Sequence, residues 1–195
     1  MALREKLISA DEFWELSHAA GDELRRDLIE GVICEMSPAG GAHGVIALKF
    51  GARILEYVEA HQLGWVTAAE TGYVIQRNPG GKDTVLAPDV GYVSAGRLPQ
   101  QPSPRYVPVA PDLAVEVVSP SDEYSEVVRK IRLYLAHGTR AVWIVEPKYQ
   151  TVEIHTSDGQ RTLEANDTLD GGAVLPGFTL ALRDVFPAAK PDELE

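Results

Sequence analysis

The stretch between residues 113 and 145 constrains the fold of this chain more than any other part of the sequence. It opens with the most apolar run, 113–118, continues as a helical pattern to about His137, and closes with a second apolar run, 141–145. Short runs rich in valine are typical of buried strands, and a glycine such as Gly138 often follows a helix end. A strand, a helix and a strand in this order favour a crossover between parallel strands. The sequence therefore predicts an α/β fold with a mixed β-sheet flanked by helices.

Weaker patterns on both sides of this stretch extend the same architecture. A helix is predicted to begin after Ser9, where acidic residues follow a typical N-cap, and to end near Gly21. A second helix is predicted over 43–61 from apolar residues at helical spacing. These residues are Val45, Leu48, Ala52, Leu55 and Val58. Strands are predicted over 27–36 with a turn at Glu30-Gly31, over 64–76, over 84–93 after a turn at 78–81, and over 151–155, with a short helix within 180–186.

Length and composition bound the class of protein. A chain of 195 residues fits one domain over 1–195, with a core at about 27–155 and a β and helical extension over 156–195. No apolar run approaches the roughly 20 residues of a membrane span. The N-terminus lacks the apolar stretch of a signal peptide, so we expect a cytoplasmic protein that binds no membrane. The single cysteine, Cys34, excludes an intramolecular disulfide and a cysteine-based zinc site.

The formal net charge of −11 bears on the class of partner. Proteins that bind nucleic acid tightly usually present a basic face, and the field of an acidic chain repels polyanions. The charge therefore argues mildly against a nucleic-acid substrate without excluding one. Surplus carboxylates also suit a protein that binds a cation.

Asp89 and Glu116 are the two acidic residues whose positions most need an explanation. Each lies in or beside a run rich in Val and Leu, where a carboxylate is costly unless it is paired, hydrogen-bonded or bound to a metal. Alternation places Glu116 on the strand face opposite Val115 and Val117. If adjacent strands bring the two acids together, they supply oxygen ligands for a divalent cation. Two alternatives stay open: Asp89 is a turn residue after Pro88, and Glu116 is an outward polar position.

Three further residues are candidates for the same site. Lys130 lies on the predicted helix after Glu116 and shares a face with Tyr134, so its ammonium group can point toward the sheet and stabilise charge on a phosphate. As an ordinary helix residue it would be solvated. Glu30 is either a third carboxylate or a surface acid in a turn. His43, at a helix start after a glycine-rich loop, either contacts the site or its water, or packs as a core histidine.

At these residues the chain resembles the PD-(D/E)XK nuclease superfamily and, within it, the bacterial Uma-two family of restriction endonucleases. The matching segments occur in the expected order over about 27–155. They are 27–32, 36–38 with His43, 87–90, 111–122, 130–134 with Gly138, and 143–145. The run Glu-Val-Val-Ser-Pro-Ser-Asp that starts at Glu116 is the most specific of them.

The resemblance implies a restriction-endonuclease-like core and cleavage of DNA phosphodiester bonds that depends on Mg²⁺ or Mn²⁺. It maps the superfamily aspartate onto Asp89 and its acidic partner onto Glu116. The acid that the superfamily often carries nearer the N-terminus maps onto Glu30, and a recurrent family histidine onto His43. It therefore implies that Glu30, Asp89 and Glu116 bind the metal.

The lysine of the superfamily motif is displaced in this chain. It usually stands two residues after the glutamate, where this sequence has Val118. The resemblance therefore points to Lys130 on the following helix as its replacement. Because related folds often cut the two strands of a duplex with two sites, the resemblance also implies a homodimer.

Three functions remain open at this point. In the first, the chain is a nuclease: Glu30, Asp89 and Glu116 hold the metal, Lys130 stabilises charge, and an activated water attacks phosphorus. In the second, it is a noncatalytic or regulatory interaction module on a nuclease scaffold, which the acidic charge favours. In the third, it hydrolyses a small phosphoester, which the modest basic content favours. The nuclease ranks first, chiefly because of the resemblance.

Overall fold

The computed structural model of the chain describes residues 7–19, 25–78, 82–100 and 104–186. Within these residues it contains three α-helices, twelve β-strands and a short 3-10 helix at Leu182–Asp184. The helices are α1 (Ala10–Ala19), α2 (Gly41–Ala60) and α3 (Tyr124–Ala136). The strands are β1 (Arg25–Ile29), β2 (Val32–Met36), β3 (Gly64–Ala68), β4 (Tyr73–Gln76), β5 (Thr84–Leu86), β6 (Val90–Ser94), β7 (Leu113–Val117), β8 (Ala141–Glu146), β9 (Thr151–Thr156), β10 (Gly159–Glu164), β11 (Thr168–Asp170) and β12 (Thr179–Ala181).

The six-stranded sheet contains the stretch that constrained the fold. Its strand order is β10-β9-β8-β7-β6-β3. Strands β7 and β8 pair in parallel with α3 as the crossover, and the other neighbouring strands pair antiparallel. The predicted mixed sheet flanked by helices is therefore confirmed, and the predicted short helix near the C-terminus is a single 3-10 turn. None of the described helices is long and apolar enough to cross a membrane.

Two strands that the sequence predicts as single are each broken in two. In 64–76, a turn contains Glu70 with a φ of 70°, and β4 begins after it. In 84–93, Pro88 separates β5 from β6, because proline has no N–H to donate to a ladder. Strand β3, from the first of these stretches, and strand β6, from the second, belong to the six-stranded sheet. The remaining pieces join a four-stranded antiparallel sheet of order β2-β1-β5-β4.

The predicted strand over 27–36 is a hairpin with its turn at the predicted place. Glu30 and Gly31 have φ values of 52° and 84°, the left-handed conformation that two-residue hairpin turns require. The end of α1 near Gly21 and most of the predicted turn at 78–81 lie outside the described residues.

Apolar side chains hold the layers together on both faces of the six-stranded sheet. On one face, alternating residues of β7 and β8 pack against α2 and the C-terminal extension. On the other face, the intervening residues pack against α3 and the four-stranded sheet. Helix α1 covers the outer face of that smaller sheet through Phe13. Glu116 belongs to the face that carries α3, as the alternation predicts.

The buried face of α2 differs from the prediction. Of the apolar residues whose spacing predicted the helix, Val58 is buried, whereas Val45, Leu48, Ala52 and Leu55 are exposed, with Leu48 at 73%. The residues that pack on the sheet are Ile46, Phe50, Ile54 and Val58. Two apolar rows run along this helix, and the one with the larger aromatic and branched side chains fills the space above the sheet.

Candidate active site

Asp89 and Glu116 lie side by side in the structure. Strands β6 and β7 are antiparallel with Val90 opposite Val115, so the residue before one faces the residue after the other. Both acids are buried. Asp89 is fixed because its Oδ2 accepts the backbone N–H of Val117 at 2.8 Å. The register of two neighbouring strands is therefore what brings these carboxylates together.

Lys130 projects from α3 onto the same place. Its Nζ lies 2.8 Å from Oδ2 of Asp27 and 3.7 Å from Oε2 of Glu116. One turn further along the helix, the buried hydroxyl of Tyr134 donates a hydrogen bond to Oε1 of Glu116 at 2.9 Å. The helical face predicted to point toward the sheet does so, and it supplies both of these contacts.

Asp27 is the carboxylate that sequence reasoning missed. Alternation on β1 gives it the same face as Ile29, which packs between the two sheets, while Leu28 faces α1. Its Oδ1 accepts the N–H of Ala87 at 2.9 Å. Within the described residues, its buried Oδ2 makes no hydrogen bond of good geometry beyond the close approach of Lys130. The sequence did contain a signal for it: in a strand, Asp27 faces the same side as the apolar Ile29, two positions further on.

Glu30 does not join this group, which corrects the sequence prediction. It occupies the hairpin turn, where strand alternation no longer applies, and its side chain is 63% exposed. Its carboxylate contacts the guanidinium group of Arg129 at 3.1 Å. The place expected for Glu30 beside the other acids is held by Asp27.

His43 reaches the group from the first turn of α2. It is buried, and its Nε2 lies 3.1 Å from Oδ2 of Asp89. The same Oδ2 accepts the N–H of Val117, so the start of α2 and the end of β7 meet at this aspartate. His43 therefore contacts the candidate site rather than packing as an isolated core histidine.

These side chains line one cavity of about 370 Å³. The pKa of Glu116 is raised from 4.5 to about 7. Burial is the largest cause, and the charges of Asp89 and Asp27 also raise the pKa, while Lys130 and the hydrogen bond from Tyr134 lower it. Burial also raises the pKa of Tyr134 well above its usual value, with the charge of Glu116 adding to the effect. Three carboxylates therefore share one ammonium group, and the cluster has an excess of negative charge.

The donor set fits a hard divalent cation in kind. Three carboxylates, one from the four-stranded sheet and two from the six-stranded sheet, offer the oxygen ligands that Mg²⁺ and Mn²⁺ prefer. The buried Oδ2 of Asp27 lacks a well-directed hydrogen bond. In the described part of the chain, no three acidic, histidine or cysteine side chains already stand as a ligand group. The Lys130 ammonium instead contacts two of the three carboxylates.

Comparison with known proteins identifies the family. The model of the Uma2 (Uma-two) family, described as "Putative restriction endonuclease", matches residues 10–183. The chain therefore belongs to the Uma-two family, as its motifs indicated. A crystal structure of a "putative nuclease" of the group DUF820 from Anabaena variabilis superposes with a TM-score of 0.76. At 23% identity, covering 92% of this chain and 97% of that one, it shows a shared fold. No curated protein matches the chain.

Proposed function

We propose that this protein is an endonuclease that uses Mg²⁺ or Mn²⁺ to hydrolyse phosphodiester bonds in DNA. The observation that carries the proposal is the meeting of Asp27, Asp89, Glu116 and Lys130 in one cavity, from two sheets and a helix. Membership of a family described as restriction endonucleases supports the same chemistry. Three buried carboxylates around one lysine are costly to bury, which favours a functional role for the cluster.

Asp27, Asp89 and Glu116 are the residues that would hold the metal. A bound divalent metal polarises the phosphate and lowers the pKa of the attacking water. Each carboxylate is oriented by a separate group of the protein: the N–H of Ala87 for Asp27, the N–H of Val117 for Asp89, and a tyrosine hydroxyl for Glu116. Such supports keep ligands in place and tune their affinity.

Lys130 supplies the positive charge of the site. Its ammonium group reaches the carboxylate of Glu116 from α3, whereas the superfamily position two residues after the glutamate is the apolar Val118. In this role it stabilises the negative charge that develops on the phosphate in the transition state. His43 holds Asp89 from the other helix and so positions a ligand.

Titration with Mg²⁺ and with Mn²⁺ by calorimetry tests the proposal first. We expect binding to wild type and its loss in the double variant Asp89→Ala/Glu116→Ala. The matched control is Glu30→Ala, which removes an exposed acid beside the site and should keep the metal affinity. Cleavage assays on single-stranded, double-stranded and branched DNA follow with the same proteins.

Two alternative functions predict different outcomes in these assays. A noncatalytic module predicts no cleavage with either metal and a protein partner in pull-down experiments. The ammonium group among the carboxylates is the observation that favours it. A small-phosphoester hydrolase predicts cleavage of nucleotides but not of nucleic acid. If the double variant still cleaves DNA, Asp89 and Glu116 are not the metal ligands that cleavage requires.

A further inference from the structure

A second cleft, of about 620 Å³, adjoins the candidate active site. It lies between α2 and β3, the edge strand of the six-stranded sheet. Met36, Ala39, His43 and Asp89 line both this cleft and the carboxylate cavity. The two cavities are therefore adjacent, with these four residues in common.

The lining of the cleft is apolar and formed by small residues. Along α2 these are Gly44, Ala47, Gly51 and Ala52, bordered by Leu48 and Leu55, and across from them are Val66 and Ala68 of β3. No lysine or arginine of the described chain lines it, and its acidic residues are Glu70 and Asp89. Phosphates are repelled by such a lining, whereas a flat uncharged ring is accommodated.

The exposed apolar row of α2 borders this cleft. Val45, Leu48 and Leu55 are 52%, 73% and 40% exposed and follow one helical stripe. Single exposed apolar residues are ordinary, but a contiguous row beside a cavity marks a binding surface. The sheet does not use this row, since the core packs against the other row of the helix.

We propose that the cleft binds an unpaired nucleobase adjacent to the scissile phosphate, so that the substrate is single-stranded or locally unpaired nucleic acid. The inference rests on the proposed function, because the metal that the carboxylates would hold must bind the phosphate while the base enters the cleft. In a duplex the bases are stacked inside, and a base reaches a lateral cleft only when it is unpaired or flipped. An uncharged base also suits a cleft whose charged lining residues, Glu70 and Asp89, are acidic.

Gly44→Leu tests the cleft directly. A Cβ at Gly44 meets nothing within 4 Å, so α2 accepts the larger residue and the side chain occupies the cleft. The matched control is Gly41→Leu, on the same helix, where a Cβ also meets nothing within 4 Å and which lines neither cavity. Metal titration of both variants should match that of wild type.

The measurement is fluorescence anisotropy with a short oligothymidylate and with an abasic strand of the same length, in Ca²⁺. We expect wild type and Gly41→Leu to bind the oligothymidylate about tenfold more tightly than the abasic strand, as for one buried base. Gly44→Leu should lose that difference and bind both strands alike. Duplex DNA of the same sequence should bind more weakly than the single strand.

Three outcomes would overturn the inference: equal binding of both strands by wild type, a base preference that survives Gly44→Leu, or sedimentation that shows a dimer dispersed by Leu48→Glu. The third would make the apolar row a contact between copies of the chain. Failure of the proposed function gives a different result. A base preference without cleavage would support base binding in the cleft and contradict the nuclease function. Cleavage without a base preference would support the nuclease function and contradict base binding in the cleft.

Discussion

Two aspartates that look alike in sequence mark opposite ends of the same pair of strands. Asp89 and Asp112 each follow a proline, precede β6 and β7 respectively, and are 3% and 1% exposed. Each accepts at 2.8 Å a backbone N–H from the end of the other strand, Val117 for Asp89 and Ser94 for Asp112. Because the strands are antiparallel, the two aspartates make equivalent hydrogen bonds to the backbone at opposite ends of the strand pair.

Their surroundings differ in charge balance. Asp112 has Arg97 at 3.2 Å, one base for one acid. Asp89 has His43 at 3.1 Å and stands beside Glu116 and Asp27, two further acids that share the ammonium group of Lys130. A buried aspartate before a strand can thus have a purely structural role. An excess of negative charge around it is what indicates a functional site. Asp112 therefore has a structural role, although its Pro-Asp pair resembles that of Asp89.

The largest expected effect is on the cleavage rate, when each of these two aspartates is replaced by asparagine. Asp89→Asn keeps an acceptor for the Val117 N–H but loses a metal ligand, so we expect cleavage to fall about a thousandfold with the fold retained. Asp112→Asn should leave cleavage near wild type and cost roughly 1–2 kcal/mol of stability, because Arg97 loses its partner. Rates on DNA and urea unfolding of both variants provide the measurement, and the reverse pattern would contradict the comparison.

The second expected effect concerns the pH dependence of stability in the metal-free protein. Glu116 has a pKa raised from 4.5 to about 7, with Asp89, Asp27, Lys130 and Tyr134 as the groups facing it. Folding therefore favours its protonated form: the stability linked to this group is present below pH 4.5 and is lost as the pH rises through 7. The raised pKa corresponds to roughly 3 kcal/mol lost at pH 8.

Glu116→Gln removes this cost. We expect the variant to melt roughly 6–12 °C higher than wild type at pH 8 and close to wild type at pH 4. Calorimetric scans in chelator at the two pH values measure the difference. An equal shift at both pH values would mean that packing, not the buried charge, explains it.

Strand alternation and helical spacing were enough to predict half of this site. The alternation in 113–118 turned Glu116 away from the valines, and the spacing of Lys130 and Tyr134 placed both on the inner face of α3. The parallel pair of β7 and β8 followed from the strand, helix and strand order. These are local rules, and the tertiary structure obeys them here.

Contacts between the two sheets lay beyond such rules. Asp27 comes from the smaller sheet, and its carboxylate accepts the N–H of Ala87, the residue that follows β5. The motif position alone favoured Glu30, whose turn conformation carries it to the surface. On α2 the sequence offered two apolar rows, and the volume above the sheet selected the larger side chains.

A third prediction concerns the lysine that distinguishes the two ends. Lys130→Gln removes the ammonium group that contacts Asp27 and Glu116, so the three carboxylates repel one another more and attract a cation more strongly. We expect the affinity for Mg²⁺ to rise at least tenfold by calorimetry while cleavage falls. The control is Arg97→Gln, which unpairs Asp112 at the other end and should not change metal affinity. A weaker metal affinity in Lys130→Gln would make the lysine a structural support of the site.

The smallest effect tests how the site end holds its carboxylates. The hydroxyl of Tyr134 donates to Glu116, so Tyr134→Phe leaves Oε1 without that donor and frees the carboxylate to rotate. One such hydrogen bond is worth about 1 kcal/mol, which predicts about a fivefold loss of Mg²⁺ affinity. Tyr73→Phe is the matched control, since its buried hydroxyl forms a 2.8 Å hydrogen bond with Thr67, and neither residue lines the carboxylate cavity. If both variants lose stability alike and neither changes metal affinity, the tyrosine packs the core and does not orient the ligand.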